Sequence, residues 1–327
     1  MMQVHAVRIH TNGGPEVLGY EAVECARLQE NQVRIRQTAI GVNFIDIHHR
    51  SGRYPNQGFP LVLGMEGAGN IEDIGSGVHD FKVGDRVAYF SHSPGAYIQV
   101  RTIAADRVVK LPNFIDDATA AAVMLKGLTV QSLLRGSYPV RAGETILVHA
   151  AAGGIGLLMC RWARHLGVRV IGTVGSEEKR QLAREHGCDH VIVYTKENVV
   201  ARVRELTDGT GVPVVYDAVG ASTFDNSLAC LRERGMLVSF GTASGPIPPF
   251  DLFRLNRLGS LYVTSASVFT FTRNRGEYVE RTGELFEMLR TGALRIAINH
   301  RYPLADAAQA HRDLQARRTT GCIILVP

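Results

Sequence analysis

The chain has 327 residues, 45% of them hydrophobic and 20% charged, with a formal net charge of +5. That length exceeds what one hydrophobic core usually serves and predicts two domains, while the ordinary composition excludes a disordered or fibrous chain. The basic residues are dispersed, so polyanion binding is not implied, and no stretch approaches the roughly 18 apolar residues of a membrane span. The five cysteines (Cys25, Cys160, Cys188, Cys230, Cys322) are scattered and form no C-x-x-C, which argues against a disulfide framework. Met1 to His10 has a strand pattern and lacks the apolar core of a signal peptide. A soluble cytoplasmic protein is the expectation.

Residues 1–125 read as β-rich. Gln3–Ile9 and Val33–Ile40 have strand patterning, and Asn12-Gly13-Gly14-Pro15, Gly52, Pro55-Asn56 and Gly58 are turn signals. Leu61–Ile74 contains Gly64, Gly67 and Gly69, which mark a bend or a close backbone approach. Short strands follow Gly75-Ser76-Gly77 and Gly84-Asp85-Arg86, and two more are expected at Gly95–Val100 and Asp106–Leu111. Many short strands with glycine turns suggest a small barrel.

After Pro112 the texture changes. Asp116 to Met124 has helix-forming composition with acids in its first turn, Gly127-Leu128-Thr129 is expected to interrupt it, and Val130–Arg135 resumes as helix. Strands and helices then alternate: strands at 145–149, 168–174, His190–Tyr194, Val212–Asp217 and Gly235–Phe240, with helices at 155–166, Ser176–His186, Glu197–Thr207 and Thr223–Leu231 between them. This alternation predicts a doubly wound parallel sheet. Gly259 to Thr264 reads as one more strand and Arg281–Arg290 as a helix; strands, a helix at Ala305–Arg317 and the apolar Ile323–Val326 end the chain. The domains expected are 1–125, a nucleotide-binding domain over 126–265, and a return to the first domain over 266–327.

The stretch Glu144 to Gly156 carries the clearest chemistry. The β-branched apolar run Ile146–Val148 stops at His149-Ala150-Ala151-Ala152-Gly153-Gly154-Ile155-Gly156, and Leu157-Leu158-Met159-Cys160 opens an amphipathic helix. This is the strand, glycine turn and helix of a dinucleotide-binding unit, with Ala151 at the first position usually held by glycine. Gly153 and Gly154 are expected to make the tight turn and Gly156 to let helix pack on strand, with the helix N-terminus facing the pyrophosphate. The second strand ends in Val174-Gly175-Ser176 with no carboxylate for a ribose 2′-hydroxyl. Small residues there leave room for a 2′-phosphate, which Ser176 and Lys179 are placed to bind, while Glu177 and Glu178 take the solvent side. The cofactor expected is NADPH, with Tyr194 at the end of the third strand covering its adenosine end.

A catalytic zinc needs Cys, His and a further Cys or carboxylate on converging loops. The two candidate loops read Gly41-Val42-Asn43-Phe44-Ile45-Asp46 and Leu63-Gly64-Met65-Glu66-Gly67, with Asn43 and Met65 where ligands would be expected. Neighbouring His48 and His49 diverge on a helix or strand and cannot chelate together. No metal is expected.

Gly41 to Asp46, Arg50-Ser51-Gly52-Arg53-Tyr54-Pro55, Leu125-Lys126-Gly127-Leu128-Thr129 and His149 to Gly156, together with Val215-Tyr216-Asp217, Ser239-Phe240-Gly241 and Gly259 to Thr264, resemble NADPH:quinone oxidoreductase, the zeta-crystallin-like, zinc-free branch of the medium-chain dehydrogenase/reductase superfamily. The resemblance covers essentially the whole chain. It implies an α/β protein with a GroES-like β-barrel catalytic domain, a Rossmann domain, a cleft between them and a homodimer formed through the Rossmann domains. By it Asn43 holds the nicotinamide ribose or reaches toward substrate, Thr129 contacts the nicotinamide half, Phe240 lines its pocket, and Arg317 reaches back to the cofactor. Ala152, Gly153, Gly154, Ile155, Gly156 and Gly175 line the phosphates, and Ser176, Lys179 and Tyr194 serve the adenosine end. Tyr54, on a turn-rich loop, is placed to stack on a quinone or to donate a hydrogen bond to its oxygen.

Hydride transfer to a quinone or enone leaves a moderately stable phenolate or enolate, so the expected activity is metal-free reduction of quinones, with enone, alkenal or enoyl-thioester reduction as the alternative. Some zeta-crystallin relatives bind RNA, but no arginine–aromatic stripe supports that here, and Arg202 and Arg204 read as the solvated side of one helix. A purely structural crystallin-like role would need no active site.

Overall fold

The computed structural model describes residues 2–56, 58–316 and 318–327, which form two compact units. Unit 1 is 1–126, 274–290 and 295–327, and unit 2 is 127–273 and 291–294.

Unit 1 contains β1 (Gln3–Ile9), β2 (Gly19–Glu24), β3 (Gln32–Val42), α1 (Phe44–Arg50), β4 (Leu61–Val62), β5 (Glu66–Ile74), β6 (Arg86–Phe90), β7 (Val100–Ala104) and β8 (Val108–Lys110). Helix α2 (Asp117–Gln131) carries the chain from unit 1 into unit 2. Sheet order is β2-β1-β4 in a small sheet and β15-β16-β3-β5-β6-β8 in a larger one, with β7 also pairing β3; β15 (Ile298–Pro303) and β16 (Cys322–Val326) come from the end of the chain. In β3 Val33, Ile35 and Gln37 alternate inward, and the strand is then buried continuously from Ala39 to Val42, where it pairs with β5 on one side and β16 on the other. Val7, Ile9, Val33, Ile35, Ile40, Leu63, Tyr97 and Ile323 form the core. Each such side chain, fully buried, contributes about 1.5–3 kcal/mol. Gly41 is required because a Cβ there would strike Glu66 and the Ala121 carbonyl.

Unit 2 contains β9 (Thr145–Val148), α3 (Gly154–His165), β10 (Arg169–Val174), α4 (Glu177–Glu185), β11 (His190–Val193), α5 (Val199–Glu205), β12 (Val212–Asp217), α6 (Phe224–Cys230), β13 (Leu231–Ser239), α7 (Phe253–Arg257), β14 (Tyr262–Ser265) and α8 (Val268–Phe271). Its six strands are all parallel, in the order β11-β10-β9-β12-β13-β14, so the order reverses between β9 and β12. Ligands bind outside the carboxyl ends of strands at such a reversal. The expected doubly wound sheet is present. Helices α9 (Arg275–Arg290) and α10 (Ala307–Gln315) belong to unit 1.

Several local expectations are corrected. Gly127 does not interrupt α2: Leu125 and Leu128 are buried, and that burial outweighs the roughly 1 kcal/mol a mid-helix glycine costs. The helix continues into a π-helical turn at Ser132–Ser137. The expected strand at Gly95–Val100 is displaced to Val100–Ala104, because Gly95 and Ala96 turn to bond Gly64 and Leu63 and the chain meets β1 in an isolated bridge, Ala6 to Ile98. Phe44-Ile45-Asp46, read as part of a loop, instead open a helix, Phe44–Arg50, with Asn43 as its extended N-cap. Arg204 is not on a solvated face: its guanidinium donates to the carbonyls of Gly209, Thr210, Ala229 and Leu231 at 2.8–3.0 Å, tying α5 to the turn that follows it and to the junction of α6 and β13.

The nucleotide turn is also sharper than its glycines suggest. The left-handed residue is Ala150, at φ 54°, whereas Gly153 is extended at φ −78° and caps α3. Gly156 is required because a Cβ would strike the Ala150 carbonyl. Ala150 is exposed, so its methyl packs on little and its backbone strain is unrewarded. Ala150→Gly is expected to raise stability by about 0.5–1 kcal/mol, read as a higher urea midpoint at unchanged slope. A lower midpoint would refute the strain argument.

Candidate active site

In unit 1 the sequence places an amide, a carboxylate and a lysine together. Asn43 ends the buried β3 segment and begins α1, with its backbone N–H 2.8 Å from the Asp46 carboxylate three residues on. Its side-chain Nδ2 donates to Glu66 Oε1 at 2.6 Å. The other Glu66 oxygen accepts the Leu125 N–H at 2.6 Å, and Lys126 Nζ stands 3.9 Å from Oε1. Glu66 is fully buried, and burial raises its carboxyl above the ordinary range while Lys126, Asn43 and the Leu125 N–H pull it down. Glu66 thus holds Asn43 from one side and the α2 backbone from the other. One Asn43 amide hydrogen is committed to that carboxylate, which leaves the second for another acceptor.

This donor set does not suit zinc. The candidate-ligand positions hold an amide and a thioether, and the adjacent carboxylate is spent on two N–H groups. Among the described residues no three His, Cys, Asp or Glu side chains are grouped to hold a metal. His48 and His49 are occupied otherwise: the two rings flank Tyr54, with centroids 5.1 and 5.7 Å away, and His49 Nδ1 lies 3.2 Å from the Asn56 amide oxygen. Tyr54 itself follows α1, is 39% exposed, and donates its backbone N–H to the His48 carbonyl. Its hydroxyl is therefore carried on a ring that two imidazoles support.

Behind Asn43 lies a line of buried polar groups whose roles the sequence did not disclose. The Tyr97 hydroxyl lies 3.0 Å from Asp46 Oδ2 and 3.0 Å from His311 Nε2, and His311 Nδ1 lies 2.9 Å from Arg50 Nη1. Asp46 was visible only as part of a motif, and the others were not singled out for a role. Burial pushes Asp46 up to about 7 and His311 down to about 3, the second helped by the Arg50 charge.

In unit 2 the expected residues gather just past the carboxyl ends of β9, β10, β11 and β13. Ala152, Gly153, Gly154, Ile155 and Gly156 form the turn and first residues of α3, whose free N–H groups and dipole favour an anion. Gly175 follows β10, and a Cβ there would come 2.7 Å from the Tyr194 hydroxyl, so this tyrosine at the end of β11 lies directly over it. Ser176 caps α4, its oxygen accepting the Lys179 N–H at 3.4 Å, which leaves the hydroxyl hydrogen to donate elsewhere. Lys179 is exposed in the first turn of α4, and Glu177 is engaged by Arg180 and Lys196 at 3.0 and 3.2 Å. Phe240 follows β13, half-buried, with its N–H on the Asp217 carbonyl. Thr129 lies in the last turn of α2, half-buried. Arg317 lies outside the described residues.

The strand ends are locked together by a network not anticipated as such. His149 lies 2.9 Å from Thr173 Oγ1 and 3.0 Å from Ser227 Oγ, Ser227 donates to Asp217, and Asp217 also accepts from Val219, Gly220 and Thr223. Burial lowers His149 below the usual imidazole range, so it serves as a neutral brace between β9, β10 and α6. The arrangement fits a dinucleotide: a helix N-terminus with glycine clearance at the switch point, and small and cationic residues where a 2′-phosphate would lie.

A parallel nucleotide-binding sheet joined to a barrel-like unit with this amide–carboxylate centre defines a medium-chain dehydrogenase/reductase. Residues 29–113 match the family model described as alcohol dehydrogenase GroES-like domain, and 154–288 match the one described as zinc-binding dehydrogenase. A quinone oxidoreductase of Pseudomonas aeruginosa is 53% identical over 96% of this chain and 97% of its own length. A 2-haloacrylate reductase of a Burkholderia species is 43% identical over 99% of each chain. The crystal structure of Escherichia coli quinone oxidoreductase complexed with NADPH superposes with a TM-score of 0.96 over 99% of this chain and all of that one, at 44% identity. The chain belongs to the quinone oxidoreductase family and is an oxidoreductase.

The line of groups behind Asn43 gives a pH test. His311 stays neutral in the folded protein down to about 3, whereas an unfolded histidine takes a proton near 6.5. Its contribution is therefore present above about 6.5 and lost as pH falls toward about 3. His311→Gln retains an acceptor for Arg50 and a donor for Tyr97 but does not titrate. Unfolding free energies should show the wild type losing up to about 5 kcal/mol relative to this variant between those pH values. Parallel curves would show that His311 does not carry the burden.

Proposed function

We propose that the protein reduces quinones with NADPH by hydride transfer without a metal. The observation that carries this reading is the centre at Asn43, an amide fixed by a buried carboxylate at a position where a zinc enzyme would place a ligand. NADPH supplies the hydride. The chain's own task is to orient the acceptor, exclude water and stabilise the negative oxygen that develops on it. The second Asn43 N–H and the Tyr54 hydroxyl are assigned to that oxygen; Thr129 and Phe240 are assigned to the nicotinamide half. Residues 152–156 and Gly175 take the pyrophosphate. Ser176, Lys179, Tyr194 and, by family resemblance, Arg317 take the adenosine 2′-phosphate end.

A conjugated acceptor is preferred over a simple ketone because its reduced oxygen is a phenolate or enolate, which hydrogen bonds suffice to stabilise. The similarity to a 2-haloacrylate reductase favours activated alkenes as the second reading. We also assign the protein to the cytoplasm, on the strength of its five free cysteines, and assign it no role in nucleic-acid binding or as a structural crystallin. We assign a homodimer built through unit 2, supported by β14, which forms one edge of its six-stranded sheet and carries Tyr262 at 56% exposure.

Stopped-flow mixing of protein and NADPH with 1,4-benzoquinone, 9,10-phenanthrenequinone, a crotonyl thioester and a panel of enones should give rapid NADPH oxidation with the quinones. Silence from every acceptor would sink the proposal, and turnover of alkenes alone would select the second reading. Lys179→Ala should raise KM for NADPH about 5–150-fold, the equivalent of about 1–3 kcal/mol, with kcat and KM for NADH little changed. An equal loss with both cofactors would remove the 2′-phosphate assignment. Tyr262→Lys should shift sedimentation from dimer to monomer, and a wild-type monomer would overturn the dimer.

A further inference from the structure

Arg50, His311, Tyr97 and Asp46 take no part in the reaction proposed above, yet they form one buried line ending at Asn43. All four are at most 1% exposed. The direction of every hydrogen in the line is determined. A guanidinium has only hydrogens to give, so His311 Nδ1 must accept from Arg50. The neutral ring then carries its hydrogen on Nε2 and donates to the Tyr97 oxygen. Tyr97, having accepted, gives its own hydroxyl hydrogen to Asp46. Asp46 Oδ2 thus receives two donors, the Tyr97 O–H and the Asn43 N–H, while Oδ1 has no partner among the described residues. The line has the polarity needed to stabilise a carboxylate, and it leaves one oxygen where a proton binds.

We propose that Asp46 is a positioning residue for this active site: as a carboxylate it holds the Asn43 N–H at the start of α1, and protonation at Oδ1 releases that hold and slows turnover. The proposal rests on the quinone reductase reading, which places Asn43 at the reacting end. A carboxylate accepts hydrogen bonds roughly twice as strong as a neutral carboxyl does, so ionisation decides how firmly Asn43 is held.

The groups facing Asp46 support this assignment. Burial lifts its carboxyl to about 7; the Asn43 N–H, the Tyr97 hydroxyl and the Lys126 ammonium pull it down, and the Glu66 charge pushes it up. Burial lowers His48 and His49, on the same helix, below the usual imidazole range. His311 is neutral above about 3, Arg50 is charged behind it, and the Tyr97 phenol is pushed well up by burial and by Asp46. The Asp46 carboxyl, lifted to about 7, therefore changes its charge near neutrality at the point where it holds the Asn43 N–H.

Two readouts test it: the pH profile of kcat/KM for NADPH-dependent quinone reduction, and the backbone amide shift of Asn43 followed by NMR in the full-length protein without substrate. In the wild type both should titrate together near 7, with kcat/KM falling about tenfold per pH unit below that point. Asp46→Asn should show neither transition. Tyr97→Phe removes one donor from the carboxylate, so both midpoints should move to higher pH by the same amount. A side chain that merely stabilises the fold would lower activity evenly at all pH values and leave both midpoints in place; that result in Tyr97→Phe overturns the proposal, even if Asp46→Asn does not fold. Should no acceptor be turned over at all, the functional reading falls, and a flat Asn43 titration in the wild type would separately overturn the hold by Asp46.

Discussion

A single buried carboxylate organises the catalytic end of unit 1. Glu66 accepts the Asn43 side chain and the Leu125 N–H at 2.6 Å each, so it joins the end of β3, the start of β5 and the middle of α2. A buried carboxylate is costly unless its lone pairs are filled, and here two donors and a nearby lysine fill them. The cost enforces geometry, because Asn43 cannot turn away without leaving a buried Glu66 oxygen short of its hydrogen-bond donor. Gly41 shows the same constraint from the backbone side, since any larger residue would displace Glu66 or α2.

Unit 2 solves a different problem. A parallel sheet buried on both faces leaves its carboxyl ends as the place where several chain segments meet. The His149–Thr173–Ser227–Asp217 network fills the polar groups at those ends and fixes three of them in relation to one another. The nucleotide turn can then be tight at Ala150 and open at Gly153, leaving the α3 N-terminus free for phosphate.

Much of this was legible in the chain. Gln3–Ile9 and Val212–Asp217 coincide with their strands residue for residue, because strong β-branched or alternating patterns have one low-energy solution. The βαβ order from 145 onward was readable for the same reason. The departures have a common cause. Propensity alone breaks the helix at Gly127, but burial of its neighbours decides it; periodicity alone places Arg204 in solvent, but four carbonyls, two in the following turn and two from 229 and 231, decide its place. Asp46, Tyr97 and His311 are separated by 51 and 214 positions along the chain, and no local pattern announces contacts of that length.

The sequence by itself determined a two-domain α/β oxidoreductase with a dinucleotide turn, because glycine clearance, strand–helix periodicity and a strand tip, Gly175-Ser176, that carries no carboxylate are local properties of backbone and side-chain chemistry. It also carried enough successive motifs to mark the family. Only the tertiary structure decided what Asn43 is bonded to, which carboxyl groups are buried against it, and in which direction the hydrogens run from Arg50 to Asp46. Those depend on donors and acceptors brought together from β3, β5, α1, α2 and α10 in a low-dielectric interior, where the environment rather than residue type sets charge and orientation.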